Sequence, residues 1–213
     1  MSNEQVEEKV LVVPASLVIS AMSKEAETLE GTCIFKDSIV DVMKVCDSSW
    51  SFKNREDVEE DCSFLQVVPY VILKCGDDIM FYRRGKRGGE RRLTGKYSVG
   101  IGGHVCIDDV SETFMSTYFN GMTRELNEEI MIPGIMNRGS PYTLVLPNSM
   151  ILDLSTEVGR VHLGMVYILP VQDQRVISID AAVENIQFRT LSYLRSGELE
   201  FENWSKFCIE GVL

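Results

Sequence analysis

Three glutamates fall within five positions of the stretch R-E-L-N-E-E-I, residues 124–130: Glu125, Glu128 and Glu129, led by Arg124. Such crowding suits either a solvated helix face or a divalent cation. Like charges at i, i+3 and i+4 repel on a helix. Mg2+, in contrast, takes oxygen ligands and keeps several waters. On an ideal helix with Leu126 at zero, Glu129 projects to about −60°, Glu125 to about −100° and Glu128 to about −160°. All three share one flank of the apolar stripe. Gly121 projects to about −140° on that flank. Glycine in mid-helix costs roughly 1 kcal/mol against alanine, so the sequence predicts a close approach to the backbone there.

A second set of groups suits phosphate. Residues 83–96, RRGKRGGERRLTGK, hold seven of the 21 lysines and arginines. Guanidinium binds phosphate by paired donors, and an anionic substrate approaching a chain of net charge −11 needs a local positive field. Arg83, Arg84, Arg91 and Arg92 are the candidates; a solvated loop is the plain alternative. His104 follows Gly102 and Gly103, and either orients a phosphate or is a hydrogen-bonded structural histidine. His162, inside a strand, reads as structural. Asp153 and Glu157, in ILDLSTEVGRVH, are candidate bases or ordinary loop charges.

The elements that position these groups follow from pattern. Residues 112–130 read as a helix, with Met115, Phe119, Met122, Leu126 and Ile130 as its apolar stripe. Ser111 suits its N-cap, and Pro133 and Gly134 end it. Residues 10–19 predict a strand ending near Pro14, then a turn or short helix. Residues 65–83 predict a hairpin turning at KCGDD, with Pro69 at an edge or bulge. YSVGIGGHV reads as a glycine-broken strand. Strands are expected over 142–152, 160–170 and 174–179, and short helices near 190–196 and 200–209. Residues 20–62 are weakly periodic.

Composition narrows the field. Hydrophobic residues make up 45% of 213, enough for a real core. No apolar run is long enough for a membrane span. The polar start MSNEQVEEKV is unlike a signal peptide, which makes cytoplasmic the expected location. Six cysteines without C-x-x-C spacing and two histidines exclude zinc spacing and predict free thiols. The net charge of −11 argues against stable nucleic-acid binding.

R-E-L-N-E-E-I, preceded by G-I-G-G-H-V, resembles the Nudix box, which ends R-E-U-x-E-E-x-G-U with U a bulky apolar residue. Arg124, Glu125, Leu126, Glu128, Glu129 and Ile132 match it. The resemblance implies an α+β protein with a mixed β-sheet sandwiched between α-helices. It implies Glu125, Glu128, Glu129 and a Gly102 carbonyl as ligands of Mg2+ or Mn2+, with Glu125, Glu128 and Arg124 as the catalytic group. Water would attack one phosphorus of a nucleoside diphosphate-type substrate, a small phosphate-containing molecule. Three departures stand out. Gly103 lies 21 residues before Arg124, further than the standard box allows; Ser116 stands where the box has a glutamate; Met131 stands where it closes on glycine. Arg124 then needs another carboxylate, with Glu128, Asp108, Asp109 and Glu112 as candidates. The flanks QVVPYVIL, FYRR, GGERRLTGKYSVGIGGHV and VGRVHLG resemble a bacterial and phage subgroup of phosphoesterases with this lengthened box. The resemblance covers roughly 64–170. The expected organisation is an N-terminal extension, 1–62, packed on a hydrolase domain, 63–213. A catalytically silent binding module of the same fold is the rival reading, and homodimer formation is left open.

Overall fold

The computed structural model describes residues 7–22, 32–86, 93–133 and 146–213. In chain order its elements are β1 (Lys9–Pro14), α1 (Ala15–Ala21), β2 (Thr32–Phe35), α2 (Ile39–Ser49), β3 (Ser51–Asn54), α3 (Arg55–Val58), β4 (Phe64–Cys75), β5 (Asp78–Arg84), β6 (Tyr97–Ser98) and β7 (Gly100–Ile101). They continue with α4 (Phe114–Glu129), β8 (Ile130–Met131), β9 (Ser149–Asp153), β10 (His162–Pro170), β11 (Ile177–Ser178), β12 (Val183–Thr190), α5 (Leu191–Leu194) and α6 (Asn203–Gly211). No helix among the described residues is long and apolar enough to cross a membrane. Cys46, Cys62, Cys75, Cys106 and Cys208 are free thiols.

The chain forms two compact units, each discontinuous in sequence. The first takes in residues 1–69, 104–121 and 150–165. There β1 pairs antiparallel with β3, from Lys9↔Asn54 to Val12↔Ser51, and with the start of β4, from Val12↔Gln66 to Pro14↔Phe64. The segment ahead of residue 62 is thereby hydrogen-bonded to residues just beyond it. Val10, Val12 and Val58 form a buried cluster with Phe64 packed on it. Pro14 ends β1 and sits as the N-cap of α1, where its fixed φ suits the strand exit. Ile39, Val42, Met43 and Cys46 of α2 are buried at helical spacing.

The second unit takes in residues 70–103, 122–149 and 166–213. Its strand order is β12-β5-β4-β10. The expected hairpin is present: Cys75 pairs with Asp78 across Gly76, whose φ of +59° is the left-handed conformation glycine tolerates. Pro69 lies between the stretch of β4 that pairs with β1 and the stretch that pairs with β7 through Val71↔Ile101 and Ile72↔Gly100.

Helix α4 runs from the first unit into the second. Phe114, Tyr118, Phe119, Met122 and Leu126 are its buried apolar side chains. The stripe is the expected one, except that Phe114 and Tyr118 fill it where Met115 was expected. The cap differs too. Ser111 gives its amide to Thr117 Oγ1 at 2.9 Å and does not start the helix. Thr113 Oγ1 accepts from the Ser116 amide at 3.1 Å, and Ser116 Oγ accepts from the Thr113 amide at 3.1 Å. This is a reciprocal capping box closed by a serine. Ile130, expected in the helix, opens β8 instead.

Candidate active site

Ser116 bears on the site through what it is not. The position spends its side chain on the helix cap and supplies no carboxylate to Arg124. Arg124 Nη1 instead donates to Glu125 Oε1 at 2.8 Å and Glu128 Oε2 at 3.1 Å. Glu128 at i+4 was among the expected partners; Glu125 was not.

The three carboxylates sit in different surroundings. Glu128 is exposed. Glu125 is half-buried, and its carboxylate rests so close to Gly103 that a β-carbon there would overlap it. A side chain at 103 would therefore make the Glu125 carboxylate shift. Glu129 is enclosed: its Oε2 is shut off from solvent and has no hydrogen-bond partner among the described residues. Burial pushes its carboxyl up to about 7, against the pull of Arg84, with Glu125, Asp180 and Glu128 adding to the rise. Its backbone carbonyl accepts from Ile179 at 2.9 Å, which fixes the end of α4.

Among the described residues no three His, Cys, Asp or Glu side chains close around one point as a finished metal cage. The donor set is nevertheless one a hard cation takes: carboxylate oxygens, one of them buried and unpaired, beside glycine backbone. Mg2+ completes its shell with water and substrate oxygens, so an open site suits it.

Alternation along β5 separates two of the candidate arginines. Phe81 packs against Tyr97, Tyr193 and Phe201 on one face. Arg83 shares that face; it is exposed, and its Nε reaches Gly95 O at 3.4 Å. Tyr82 and Arg84 take the other face, where Tyr82 donates to Gly100 O at 3.1 Å. Burial works against the Arg84 charge, but Tyr82, Glu202, Glu129 and Tyr70 hold its guanidinium above its ordinary range. Arg84 thus shares electrostatics with Glu129, and Arg83 faces away. Arg91 and Arg92 lie outside the described residues.

The remaining candidates belong to the first unit. His162 Nδ1 donates to Val158 O at 2.6 Å, which leaves its Nε2 to accept from His104 Nε2 at 3.3 Å. Each histidine thus has a ring partner in this unit, an arrangement the sequence did not foretell. Asp153 is 1% exposed. It accepts from the Ser155 amide at 3.0 Å, from the Ser155 hydroxyl and from Thr156 Oγ1 at 3.1 Å. Both its oxygens are committed to the turn, which does not suit a base. Glu157 is exposed on the same loop. Gly121 meets the expected close approach: the atoms crowding its backbone are Val105 methyls at 2.9 Å and Asp109 Oδ2 at 3.0 Å from an added β-carbon. The close approach is made by the chain itself.

Sequence reasoning missed the residues behind the glycine run. Tyr70, Ser98, Glu202 and Ser205 form a buried polar group under Gly100. The capping pattern E-N-W-S ahead of an apolar run was the available signal for Glu202.

No family model matches the chain. Protein YmaB of Bacillus subtilis (strain 168) is 28% identical over 209 residues, 97% of this chain and 98% of that one. Among solved structures, the crystal structure of Tm1382, a Nudix hydrolase by assignment, matches with a TM-score of 0.69 at 27% identity, over 95% of this chain and 96% of its own. A NUDIX-family hydrolase from Clostridium perfringens matches 65% of this chain and 89% of its own at 15% identity and a TM-score of 0.43. The first two likenesses run almost end to end, so most of residues 1–62 lies within what is shared.

Proposed function

We propose that this chain, which belongs to the Nudix family of hydrolases, cleaves a diphosphate linkage in a nucleoside diphosphate-type substrate with the help of Mg2+ or Mn2+. The observation that carries the reading is the buried, unpartnered Oε2 of Glu129 beside Glu125 and Glu128. An enclosed carboxylate with an idle oxygen is costly unless something electropositive uses it.

Glu125, Glu128, Glu129 and the Gly102 carbonyl would hold the cation. When bound, it lowers the pKa of a water and neutralises charge on the phosphoryl group. Arg84 orients a phosphate oxygen; its fixed charge offsets the carboxylates that would otherwise repel the substrate. Water adds to one phosphorus, the bridging P–O bond breaks, and the displaced phosphate carries away the bond's electron pair. The water's proton passes to a carboxylate. Arg124 holds Glu125 and Glu128 in one orientation until the cation competes for them. Residues 63–213 carry this chemistry, with 1–62 packed on them.

The test is hydrolysis of a panel of nucleotide sugars, dinucleoside polyphosphates, (d)NTPs and capped RNA with and without Mg2+. Loss of turnover in Glu128→Gln and Glu129→Gln is expected; full turnover in both would overturn the reading. One observation favours a silent binding module instead: Arg124 already neutralises Glu125 and Glu128. Mn2+-dependent thermal stabilisation separates the two, because a silent module need not have it.

A further inference from the structure

The run Gly100-Ile101-Gly102-Gly103 leads into the proposed cation site, and three glycines make its backbone permissive. A permissive backbone fixes no carbonyl by itself. Something else must remove that freedom if Gly102 is to present an oxygen at a set point.

A buried network does so. Gly100 O accepts from Tyr82 OH and lies 3.1 Å from Ser98 Oγ; the Gly100 amide reaches Ser98 Oγ at 3.3 Å. The Val99 amide donates to Ser205 Oγ at 2.9 Å. The Tyr70 ring lies against Gly100 so closely that a β-carbon there would enter it. These groups meet on one carboxylate. Glu202 Oε1 accepts from Tyr70 OH at 2.6 Å, from the Ser205 amide at 3.0 Å and from the Ser205 hydroxyl; Oε2 accepts from the Trp204 amide at 2.8 Å. Ser98 Oγ is 3.3 Å from the same Oε1. Burial holds the Tyr70 phenol well above its usual range, with Glu202 adding to the rise, so its hydroxyl stays protonated and donates. Glu202 is only 5% exposed.

A helix cap alone would need the two amides at the start of α6. The hydroxyls of Tyr70 on β4, Ser98 on β6 and Ser205 on α6 are surplus to capping, and they are the groups that hold Val99 and Gly100. We propose that Glu202 is a positioning residue for the cation site: it locks Tyr70, Ser98 and Ser205 around Gly100, and so sets the Gly102 carbonyl and the Gly103 backbone on which Glu125 rests. This inference depends on the proposed function, since it assigns Glu202 to the same site.

The test is Mn2+ titration of the purified full chain by thermal shift, with hydrolysis as a second readout. Glu202→Gln keeps the size and one acceptor oxygen but turns the other into a donor. It should raise the Mn2+ half-saturation concentration about tenfold, as expected when a ligand geometry is loosened through its supporting hydrogen bonds. Tyr70→Phe keeps the ring on Gly100 and removes one donor. It should shift half-saturation the same way by a smaller factor, and it decides the matter if Glu202→Gln fails to fold. Thr113→Ala is the control: it weakens the α4 cap and should lower the melting temperature without moving half-saturation. Unchanged half-saturation in Glu202→Gln and Tyr70→Phe, beside a responsive wild type, overturns this inference alone. A wild type that does not respond to Mn2+ overturns the proposed function and this inference with it.

Discussion

Two glutamates in the second unit, each with a carboxylate oxygen shut off from solvent, face opposite circumstances. Glu202 has each oxygen taken up by donors from β4 and from its own helix. Glu129 has an oxygen closed off from solvent and hydrogen-bonded to nothing among the described residues. Burying a charge is tolerable when its lone pairs are satisfied and costly when they are not. The contrast teaches how to tell a carboxylate that holds a structure from one that waits for a reaction partner. The count of committed lone pairs separates them.

The sharpest way to break this comparison is to neutralise the waiting site. Glu129→Gln and Glu128→Gln should cut hydrolysis by about 10²- to 10⁴-fold. The Glu129 variant should lose no stability without metal, because an enclosed charge has been removed. A Glu129→Gln that unfolds like a broken structural network would erase the distinction. Next, Gly103→Ala drives a methyl group into the Glu125 carboxylate. Displacing a ligand by about 1 Å can cost about 10²-fold, so turnover should fall by that order while circular dichroism stays unchanged.

The pH response is the third test. Glu129 titrates at about 7 in the fold against an ordinary 4.5. A raised folded pKa means that its contribution to metal-free stability is fully present below 4.5 and lost as pH rises through about 7. A cation must displace that proton, so Mn2+ affinity should climb by up to about tenfold per unit between pH 6 and 7 and level off above. Affinity flat from pH 6 to 8 would remove Glu129 from the ligand set. The smallest effect concerns the other end of α4. Thr113→Ala should lower stability by about 1 kcal/mol in chemical denaturation and leave turnover intact.

Much of the fold was legible because period and punctuation agreed. Gly76 marked the β4–β5 turn, and the apolar spacing marked α4. β12 was not legible, for a local reason. Asn185 takes a φ of +53°, and the register against β5 shifts between Glu184 and Gln187. The bulge puts Val183 and Phe188, an odd number of residues apart, both in the core. An alternation reading fails at such a step. α2 was hidden by the charges on its outer face. In the site, the glutamates and Arg124 were readable from spacing. The choice of Arg84 over Arg83 was not, because strand alternation separates the two but does not say which face meets the carboxylates. Ser116 reads as a lost acid in the sequence and becomes a helix cap once Thr113 is seen beside it. The close approach read at Gly121 is present, but the sequence did not say that Val105 makes it.

The buried network also has a consequence for synthesis order. Tyr70 and Glu202 are 132 positions apart, and Tyr70 and Ser205 are 135. The strand beneath the glycine run emerges from the ribosome well before its keystone. Such long-range closure is slow to form compared with a local turn. A nascent chain that already carries all three site glutamates still lacks the carboxylate that stiffens Gly100, so the site should mature late and in one step.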